Sequence, residues 1–380
     1  MMHPQSVTVI GAGLAGLRTV ERLRQRGYEG RVVLLGAERH LPYDRPPLSK
    51  QVLRGEQDEP WLRREADYAG LNADVMLGQQ VRELDTARRM IFLDGGWLPY
   101  DVLVIATGAS PRRVPGINGR VLRTLDDARA LRGTLGPGTR LAIVGAGLIG
   151  CEVAASARSL GAAVDLIDVL PGPLVRVVGG RVCDIVAGLH RDRGVRLHLG
   201  ASVARDSAGR LTLSDGTVLE ADVVLEAIGA VPETGWLEGS QLRLDDGVAC
   251  DATGRAADGV YAAGDVARWD GRRSEHWTSA GDQADRVAAA ILGQDPPPPG
   301  LPYWWSDQYD VKLQGLGDPG PDADVHLVTW GAKARTIALY ARDGRLTGAV
   351  GFSAAAGVMK LRADITAGTA IEDVLDRLTP

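Results

Sequence analysis

Residues 6–16 read Ser-Val-Thr-Val-Ile-Gly-Ala-Gly-Leu-Ala-Gly, and residues 141–150 read Leu-Ala-Ile-Val-Gly-Ala-Gly-Leu-Ile-Gly. Each stretch is a short run of β-branched or aliphatic residues, followed by three glycines spaced G-x-G-x-x-G and then by a segment with helical periodicity. A second strand pattern follows each one, at Arg31–Leu35 and at Val164–Ile167. A strand, a glycine turn, a helix and a further strand form a βαβ unit, so the chain is predicted to contain this unit twice.

The three glycines of each turn have separate functions. The first makes the tight turn out of the strand, the second lets the backbone approach a pyrophosphate, and the third allows close packing of helix on strand. The helix that follows presents free N–H groups and a positive dipole end to phosphates. We therefore predict two dinucleotide sites, formed by Gly11, Gly13, Leu14, Ala15 and Gly16, and by Gly145, Gly147, Leu148, Ile149 and Gly150.

An acidic residue ends the second strand of each unit, Glu38 in the first and Asp168 in the second. A carboxylate at this position accepts hydrogen bonds from ribose hydroxyls, and its presence makes the two glycine motifs far more specific. Asp168 would repel a 2′-phosphate and no arginine follows it, which favours NADH over NADPH. The alternative, that Asp168 only ends a strand in solvent, stays open at this point.

The bulk composition narrows the class of protein. The chain has 380 residues, 45% of them hydrophobic, and a formal net charge of −5, which indicates several globular domains and gives no reason to bind nucleic acid or a membrane. We expect no signal peptide and no transmembrane helix. The three cysteines are scattered along the sequence, which predicts a reducing, cytoplasmic location without disulfides. The cysteines and histidines do not show the spacing of a metal site, so no bound metal is expected.

Two dinucleotide folds in one chain indicate hydride transfer between two bound dinucleotides, with a flavin as the acceptor. A run of four prolines at residues 296–299 predicts a stiff linker, and the strand and helix patterns after it predict a small C-terminal domain. The predicted fold class is α/β, with two Rossmann-like domains of the glutathione-reductase type and a small α+β domain. The predicted boundaries are 1–114 and 237–300 for the FAD domain, 115–236 for the NAD domain, and 301–380 for the C-terminal domain.

Several motifs carry a family resemblance. Residues 42–50 read Pro-Tyr-Asp-Arg-Pro-Pro-Leu-Ser-Lys, and residues 304–314 read Trp-Trp-Ser-Asp-Gln-Tyr-Asp-Val-Lys-Leu-Gln. Together with Ala106–Gly108, Gly264–Asp265 and Glu275–Trp277, they make the chain resemble the FAD-dependent NAD(P)H:ferredoxin reductases of bacterial oxygenase systems. The resemblance spans nearly the whole chain.

The resemblance implies further site residues. Lys50 would lie near the flavin as a cation, Glu152 would approach the nicotinamide and could pair with Lys50, and Trp277 would face the flavin; these three are the implied catalytic residues. Asp265 would hold the ribityl or pyrophosphate side of FAD, and Trp305 is a second candidate to face the ring. The remaining implied cofactor contacts are Arg45, Val81, Ala106, Thr107, Gly108, Arg123, Gly229 and Gly264.

The implied activity is electron transfer from NADH through FAD to a [2Fe–2S] ferredoxin, which would serve a heme-thiolate monooxygenase or a ring-hydroxylating dioxygenase. Because such ferredoxins are usually acidic, a basic docking patch is expected, with Arg268, Arg272 and Arg273 as candidates.

Two alternatives are considered. A flavin disulfide reductase would need a reactive cysteine at residues 45–50, where the sequence has none. An apoptosis-inducing-factor-like regulatory flavoprotein would respond to NADH without needing a ferredoxin, and the stretch at residues 304–314 argues against it.

Overall fold

The computed structural model describes residues 4–207 and 209–378. These divide into two compact units, each assembled from separate stretches of chain. Unit 1 comprises the chain up to Asp44, Glu59–Ser110 and Ala230–Gly300; unit 2 comprises Arg45–Asp58, Pro111–Gly229 and the chain from Leu301 onward. The four domain segments expected from the sequence stay a prediction. The division into two units groups the C-terminal segment with the second βαβ segment.

The helices and strands of the described residues have the following bounds. The α-helices are α1 (Leu14–Gln25), α2 (Leu125–Arg132), α3 (Leu148–Ser159), α4 (Val175–Asp192), α5 (Trp277–Ile291), α6 (Ala355–Lys360), α7 (Arg362–Ala367) and α8 (Ile371–Leu378). The strands up to residue 232 are β1 (Ser6–Ile10), β2 (Arg31–Gly36), β3 (Asp74–Leu77), β4 (Glu83–Asp85), β5 (Met90–Leu93), β6 (Gly96–Pro99), β7 (Val102–Ile105), β8 (Ala109–Pro111), β9 (Arg140–Val144), β10 (Ala163–Asp168), β11 (Arg196–Leu199), β12 (Val203–Ser207), β13 (Arg210–Leu213), β14 (Val218–Glu220), β15 (Val223–Glu226) and β16 (Ala230–Pro232). The later strands are β17 (Val248–Cys250), β18 (Arg255–Ala257), β19 (Val260–Ala262), β20 (Ala267–Trp269), β21 (Arg272–Arg273), β22 (Tyr303–Gln308), β23 (Val311–Gly317), β24 (Asp324–Trp330), β25 (Arg335–Arg342) and β26 (Arg345–Phe352). Short 3-10 turns occur at Pro46–Ser49, Glu65–Asp67, Ala69–Leu71 and Gly235–Leu237.

Unit 1 is built on a six-stranded sheet in the order β18-β19-β7-β1-β2-β3. β1 is parallel to both its neighbours, with Val7 opposite Val32 on one side and Val102 on the other. β1 is apolar along most of its length because it is covered on both faces, as expected for a central parallel strand. Helix α1 packs its buried residues Leu17 and Val20 into this core. The arrangement is the first predicted βαβ unit.

Unit 2 contains the second βαβ unit in a four-stranded parallel sheet, ordered β11-β10-β9-β15. Leu141 of β9 pairs with Val164 of β10 and with Val223 of β15. The glycine turns after β1 and after β9 therefore both leave the middle of a parallel sheet at its carboxyl edge, where ligands of such sheets bind.

The C-terminal part of unit 2 is a five-stranded antiparallel sheet, ordered β22-β23-β26-β25-β24, with α6, α7 and α8 beside it. The predicted α/β fold class with a C-terminal α+β domain is therefore confirmed. β22 and β23 cover most of the motif at residues 304–314, which the sequence analysis did not assign to strands. Trp304 is buried opposite Gly315, where a Cβ would lie 2.2 Å from the indole.

Hydrogen bonds between buried polar groups join helix α4 to this sheet. The His190 ring forms hydrogen bonds with the Gln308 side chain at 3.1 Å and with the Tyr309 hydroxyl at 3.0 Å. Burial lowers the pKa of His190 to about 4. Further along α4, the Tyr340 hydroxyl donates to the Val178 carbonyl at 2.7 Å. Since His190 stays neutral near pH 7, the helix is held here by hydrogen bonds and not by an ion pair.

No helix among residues 4–207 and 209–378 is both long enough and apolar enough to span a bilayer.

Candidate functional site

The first glycine turn has one open position between two crowded ones. A Cβ on Gly11, whose φ is +109°, would lie 2.1 Å from the Ala106 carbonyl oxygen, and a Cβ on Gly16 would lie 1.9 Å from that of Gly11. A Cβ on Gly13, by contrast, would meet no atom within 4 Å. Gly11 and Gly16 are therefore required by the fold, while the space at Gly13 is free for a ligand.

The second glycine turn repeats this geometry closely. A Cβ on Gly145 (φ +110°) would lie 2.3 Å from the Ala227 carbonyl oxygen, and one on Gly150 would lie 1.9 Å from that of Gly145. Gly147 again has nothing within 4 Å of an added Cβ. Two independent turns thus leave the same position open, which is where a dinucleotide pyrophosphate approaches the backbone.

Both turns lead into helices whose first turns suit an anion. Gly13 and Gly147 are the N-caps of α1 and α3, neither supplies a side-chain cap, and neither helix has an acidic residue in its first turn. The N–H groups at the starts of these helices are therefore not used by a capping side chain and carry the positive end of the helix dipole. This donor set fits the phosphates of a dinucleotide at each turn.

Glu38, the predicted ribose ligand of unit 1, is half-buried, and the Tyr43 side chain contacts its carboxylate. The Tyr43 hydroxyl donates a hydrogen bond of 2.6 Å to Glu38 Oε2. Tyr43 itself is buried. It belongs to the motif at residues 42–50, but its partnership with Glu38 was not predicted.

Asp168, the corresponding acid of unit 2, is held by the backbone at both carboxylate oxygens. Its Oδ2 accepts a bond of 2.6 Å from the Ala146 N–H inside the glycine turn, and its Oδ1 accepts one of 2.8 Å from the Leu170 N–H. Val169, 60% exposed, lies between them. Asp168 is therefore an ordered carboxylate joined to the second turn and not a free strand end in solvent.

Unit 1 brings Gly264 and the start of α1 together. A Cβ on Gly264 (φ +79°) would lie 2.9 Å from that of Ala15, and the Gly264 N–H donates to Gln283 Oε1 at 2.8 Å. Asp265 follows directly and is half-buried. Gln283, on α5, holds the Gly264 backbone in place and was not predicted from the sequence, because an isolated glutamine in a helix belongs to no recognisable motif.

Two other predicted contacts of unit 1 are fixed by hydrogen bonds. Trp277 is the first residue of α5, and its indole N–H donates to Asp44 Oδ1 at 2.7 Å. The Thr107 hydroxyl donates to the Glu233 carbonyl at 3.0 Å. Val81 and Ala106 are buried, and Gly108 has a φ of +74°.

Lys50 and Glu152 form the predicted ion pair, which lies within unit 2. Lys50 Nζ is 2.6 Å from Glu152 Oε2, and the two residues are 3% and 5% exposed. The Ser49 hydroxyl donates to the same carboxylate oxygen. A buried pair with good geometry and an additional donor meets the conditions under which such pairs are tolerated inside proteins.

Unit 2 also contains the other predicted contacts. An Arg45 guanidinium N–H donates to the Arg123 carbonyl, just before the Thr124–Asp127 capping box that begins α2. Gly229 has a φ of +98° and accepts a bond from the Arg112 N–H. Trp305 is half-buried and alternates with the buried Trp304 along β22, so it is the tryptophan of this pair that the sheet leaves accessible.

The cysteines are unsuited to thiol chemistry. Cys151 lies buried in α3, and burial raises the pKa of its thiol strongly. Burial also raises the pKa of Cys183, and that of Cys250 to about 12. Because the thiolate is the reactive form, none of the three fits the role of a redox-active cysteine, and Cys151 is the buried apolar residue that a lone helix cysteine usually is.

The arginines expected to form a basic docking patch, at residues 268–273, are in part paired with acidic side chains, and the patch itself stays a prediction. Arg268 is paired with Asp245, and Arg273 is paired with both Asp246 and Glu275. Asp245 and Asp246 lie 23 and 27 residues before the arginines they pair with, so their proximity was not visible from the local sequence. The charge of two of the three arginines is thereby offset within the chain.

The chain matches the sequence profile of the family described as pyridine nucleotide-disulphide oxidoreductase over residues 5–284. A second profile, described as reductase C-terminal, matches residues 303–376. The second match covers the tryptophan-rich strand β22 and most of the C-terminal sheet.

Two named relatives and one solved structure show the extent of the similarity. The chain is 42% identical to the chlorobenzene dioxygenase ferredoxin reductase component of Cupriavidus sp. (strain PS12), with 94% of this chain and 93% of the relative covered. It is 39% identical to the benzene 1,2-dioxygenase system ferredoxin–NAD(+) reductase subunit of Pseudomonas putida, with coverage of 92% and 89%. The structure of the covalent putidaredoxin reductase–putidaredoxin complex superposes with a TM-score of 0.91 at 31% identity, covering 97% of this chain and 94% of that chain.

Proposed function

The chain belongs to the pyridine nucleotide-disulphide oxidoreductase family, and from this premise we propose that it is an FAD-dependent NADH:ferredoxin oxidoreductase. Its electron acceptor is a [2Fe–2S] ferredoxin that serves a ring-hydroxylating dioxygenase or a heme-thiolate monooxygenase. The relatives named above are ferredoxin reductases of dioxygenase systems, and the superposed structure is a covalent complex of putidaredoxin reductase with putidaredoxin. The observation that carries the proposal is the pair of glycine turns with open positions at Gly13 and Gly147.

The two cofactor sites have separate sets of residues. In unit 1, the turn at Gly11–Gly16, Glu38 and the Gly264–Asp265 pair would hold FAD. In unit 2, the turn at Gly145–Gly150 and Asp168 would hold NADH. When bound, the flavin couples the two-electron donor NADH to a one-electron acceptor.

Three side chains are assigned to the reaction itself. Lys50 would supply a positive charge, which favours a reduced and more negative flavin. Glu152, on the helix that begins at the second glycine turn, would orient the nicotinamide. Trp277, whose indole N–H donates to Asp44, would offer an aromatic surface to the flavin. None of the three cysteines takes part, which distinguishes this chain from disulfide reductases.

The preference for NADH over NADPH is proposed to depend on Asp168. Asp168→Ala combined with Val169→Arg is expected to lower the NADH/NADPH ratio of kcat/KM by roughly 100-fold, because a charge-assisted hydrogen bond contributes about 1.5–3 kcal/mol. Steady-state kinetics with both coenzymes measure the ratio. Val169→Arg alone is the control, since it adds the cation and keeps the ribose ligand. A ratio unchanged in the double variant would contradict the assignment.

The activity has a direct test. The purified protein should show flavin absorption that NADH bleaches under anaerobic conditions. With an oxygenase ferredoxin added, NADH-driven reduction of cytochrome c should rise many-fold. If the flavin is bleached but no ferredoxin from a panel of [2Fe–2S] proteins raises the rate, the regulatory alternative gains; a colourless protein that cannot be reconstituted with flavin overturns the proposal.

A further inference from the structure

Ser49 ends the 3-10 turn at Pro46–Ser49, and this turn packs on helix α3 within unit 2. Ser49, Lys50 and Glu152 are all buried. Glu152 lies four residues after Leu148, which begins α3, and so about 6 Å along the helix from the start that faces the dinucleotide. The cluster therefore lies close to the end of the helix that the proposed coenzyme would contact.

Two donors converge on one oxygen of the Glu152 carboxylate. The Ser49 hydroxyl and Lys50 Nζ both donate to Oε2, and Lys50 Nζ is also 3.4 Å from Ser49 Oγ. Neither of these bonds uses Oε1. Because a carboxylate is planar, two donors on one oxygen fix its rotation as well as its position, and they fix the direction in which Oε1 points.

A second serine holds the same turn by a different atom. Ser156 lies four residues after Glu152 and so on the same face of α3. Its hydroxyl donates to the Ser49 carbonyl at 2.7 Å. Ser156 therefore anchors the backbone of the turn, while the Ser49 hydroxyl acts on the Glu152 side chain. One contact can be removed without removing the other.

We propose that Ser49 is a positioning residue for the reaction: its hydroxyl holds Glu152 so that Oε1 faces the amide of the bound nicotinamide. This inference rests on the proposed function, in which Glu152 orients the nicotinamide. Ser49 transfers no proton and no electron. Its contribution is to hold a buried carboxylate in one rotamer before the coenzyme arrives, which avoids an ordering cost during binding.

The test compares Ser49→Ala with Ser156→Ala in the full-length, FAD-loaded protein. Ser49→Ala is expected to slow flavin reduction by saturating NADH roughly tenfold, the effect of one hydrogen bond to a charged group. Ser156→Ala should change it less than about twofold, although it removes a buried hydroxyl of α3 that bonds the same turn. Ser49→Thr, which keeps a hydroxyl, should recover most of the rate.

A coenzyme fragment separates positioning of the nicotinamide from damage to the whole site. ADP-ribose has the adenosine, pyrophosphate and second ribose of NADH but no nicotinamide. Its inhibition constant against NADH should therefore be the same in Ser49→Ala as in the unchanged protein. Equal rate losses in Ser49→Ala and Ser156→Ala, or an ADP-ribose affinity that falls with the rate, would overturn the inference. Failure of the unchanged protein to be reduced by NADH would instead refute the proposed function.

Discussion

Gly13→Val is expected to give a folded protein that no longer retains FAD, whereas Gly147→Val should keep its FAD and lose reduction by NADH. Both glycines have extended backbone angles, with φ of −89° and −75°, that valine adopts readily. An added Cβ meets no protein atom at either position, so the fold is preserved. The valine methyl groups would instead occupy the space into which the pyrophosphate fits.

The expected loss is roughly 100-fold in affinity at each site, or about 2.7 kcal/mol. Flavin content is measured from the absorption spectrum of the purified protein, and NADH affinity from the concentration dependence of flavin reduction. Each variant is the control for the other, because the substitution and the local geometry are the same. Loss of FAD in both variants, or in neither, would contradict the assignment of one dinucleotide to each turn.

Lys50→Met is expected to lower the stability of unit 2 by about 3–5 kcal/mol, because it leaves the buried Glu152 carboxylate without its cation. The pair distance is 2.6 Å, and the two side chains are 4% and 6% exposed. Urea unfolding, followed by tryptophan fluorescence, measures the change. Flavin reduction by NADH should fall at the same time, since both residues are assigned to the reaction.

The double variant Lys50→Met/Glu152→Gln separates stability from activity. It replaces the ion pair by two neutral side chains of similar size, which is often close to neutral in stability. The unfolding midpoint should therefore return most of the way to that of the unchanged protein, while flavin reduction stays slow. If Lys50→Met unfolds at the original midpoint, the ion pair does not stabilise unit 2 as a buried pair should.

Local sequence was sufficient for the parts of the fold that depend on local geometry. β1 was predicted at Ser6–Ile10 and has those bounds, and the two glycine turns were identified with the function of each glycine. Their signals are strong because a strand, a turn needing positive φ and a helix follow one another within about 20 residues.

β22 and β23 show why other elements were missed. Ser306 and Gln308 are fully buried on β22, where an alternating strand would be expected to place apolar residues. Gln308 is satisfied there by His190, 118 residues away in the sequence. Because of these buried polar residues, residues 304–314 do not show the alternation of a strand. The family resemblance identified this segment but did not predict its secondary structure.

The sequence by itself determined where the dinucleotide turns lie, because a strand, the glycine turn and a helix follow one another locally, and Gly16 and Gly150 are crowded by the carbonyls of Gly11 and Gly145 five residues earlier. The carbonyls that crowd Gly11 and Gly145 belong to Ala106 and Ala227, which only the folded sheets bring near. Only the tertiary structure decided the partners of the functional side chains. Glu152 meets Ser49 and Lys50 across more than 100 residues of sequence, and Arg268 and Arg273 form ion pairs with Asp245 and Asp246. Partners of this kind are set by how the chain folds back on itself, and no local pattern records them.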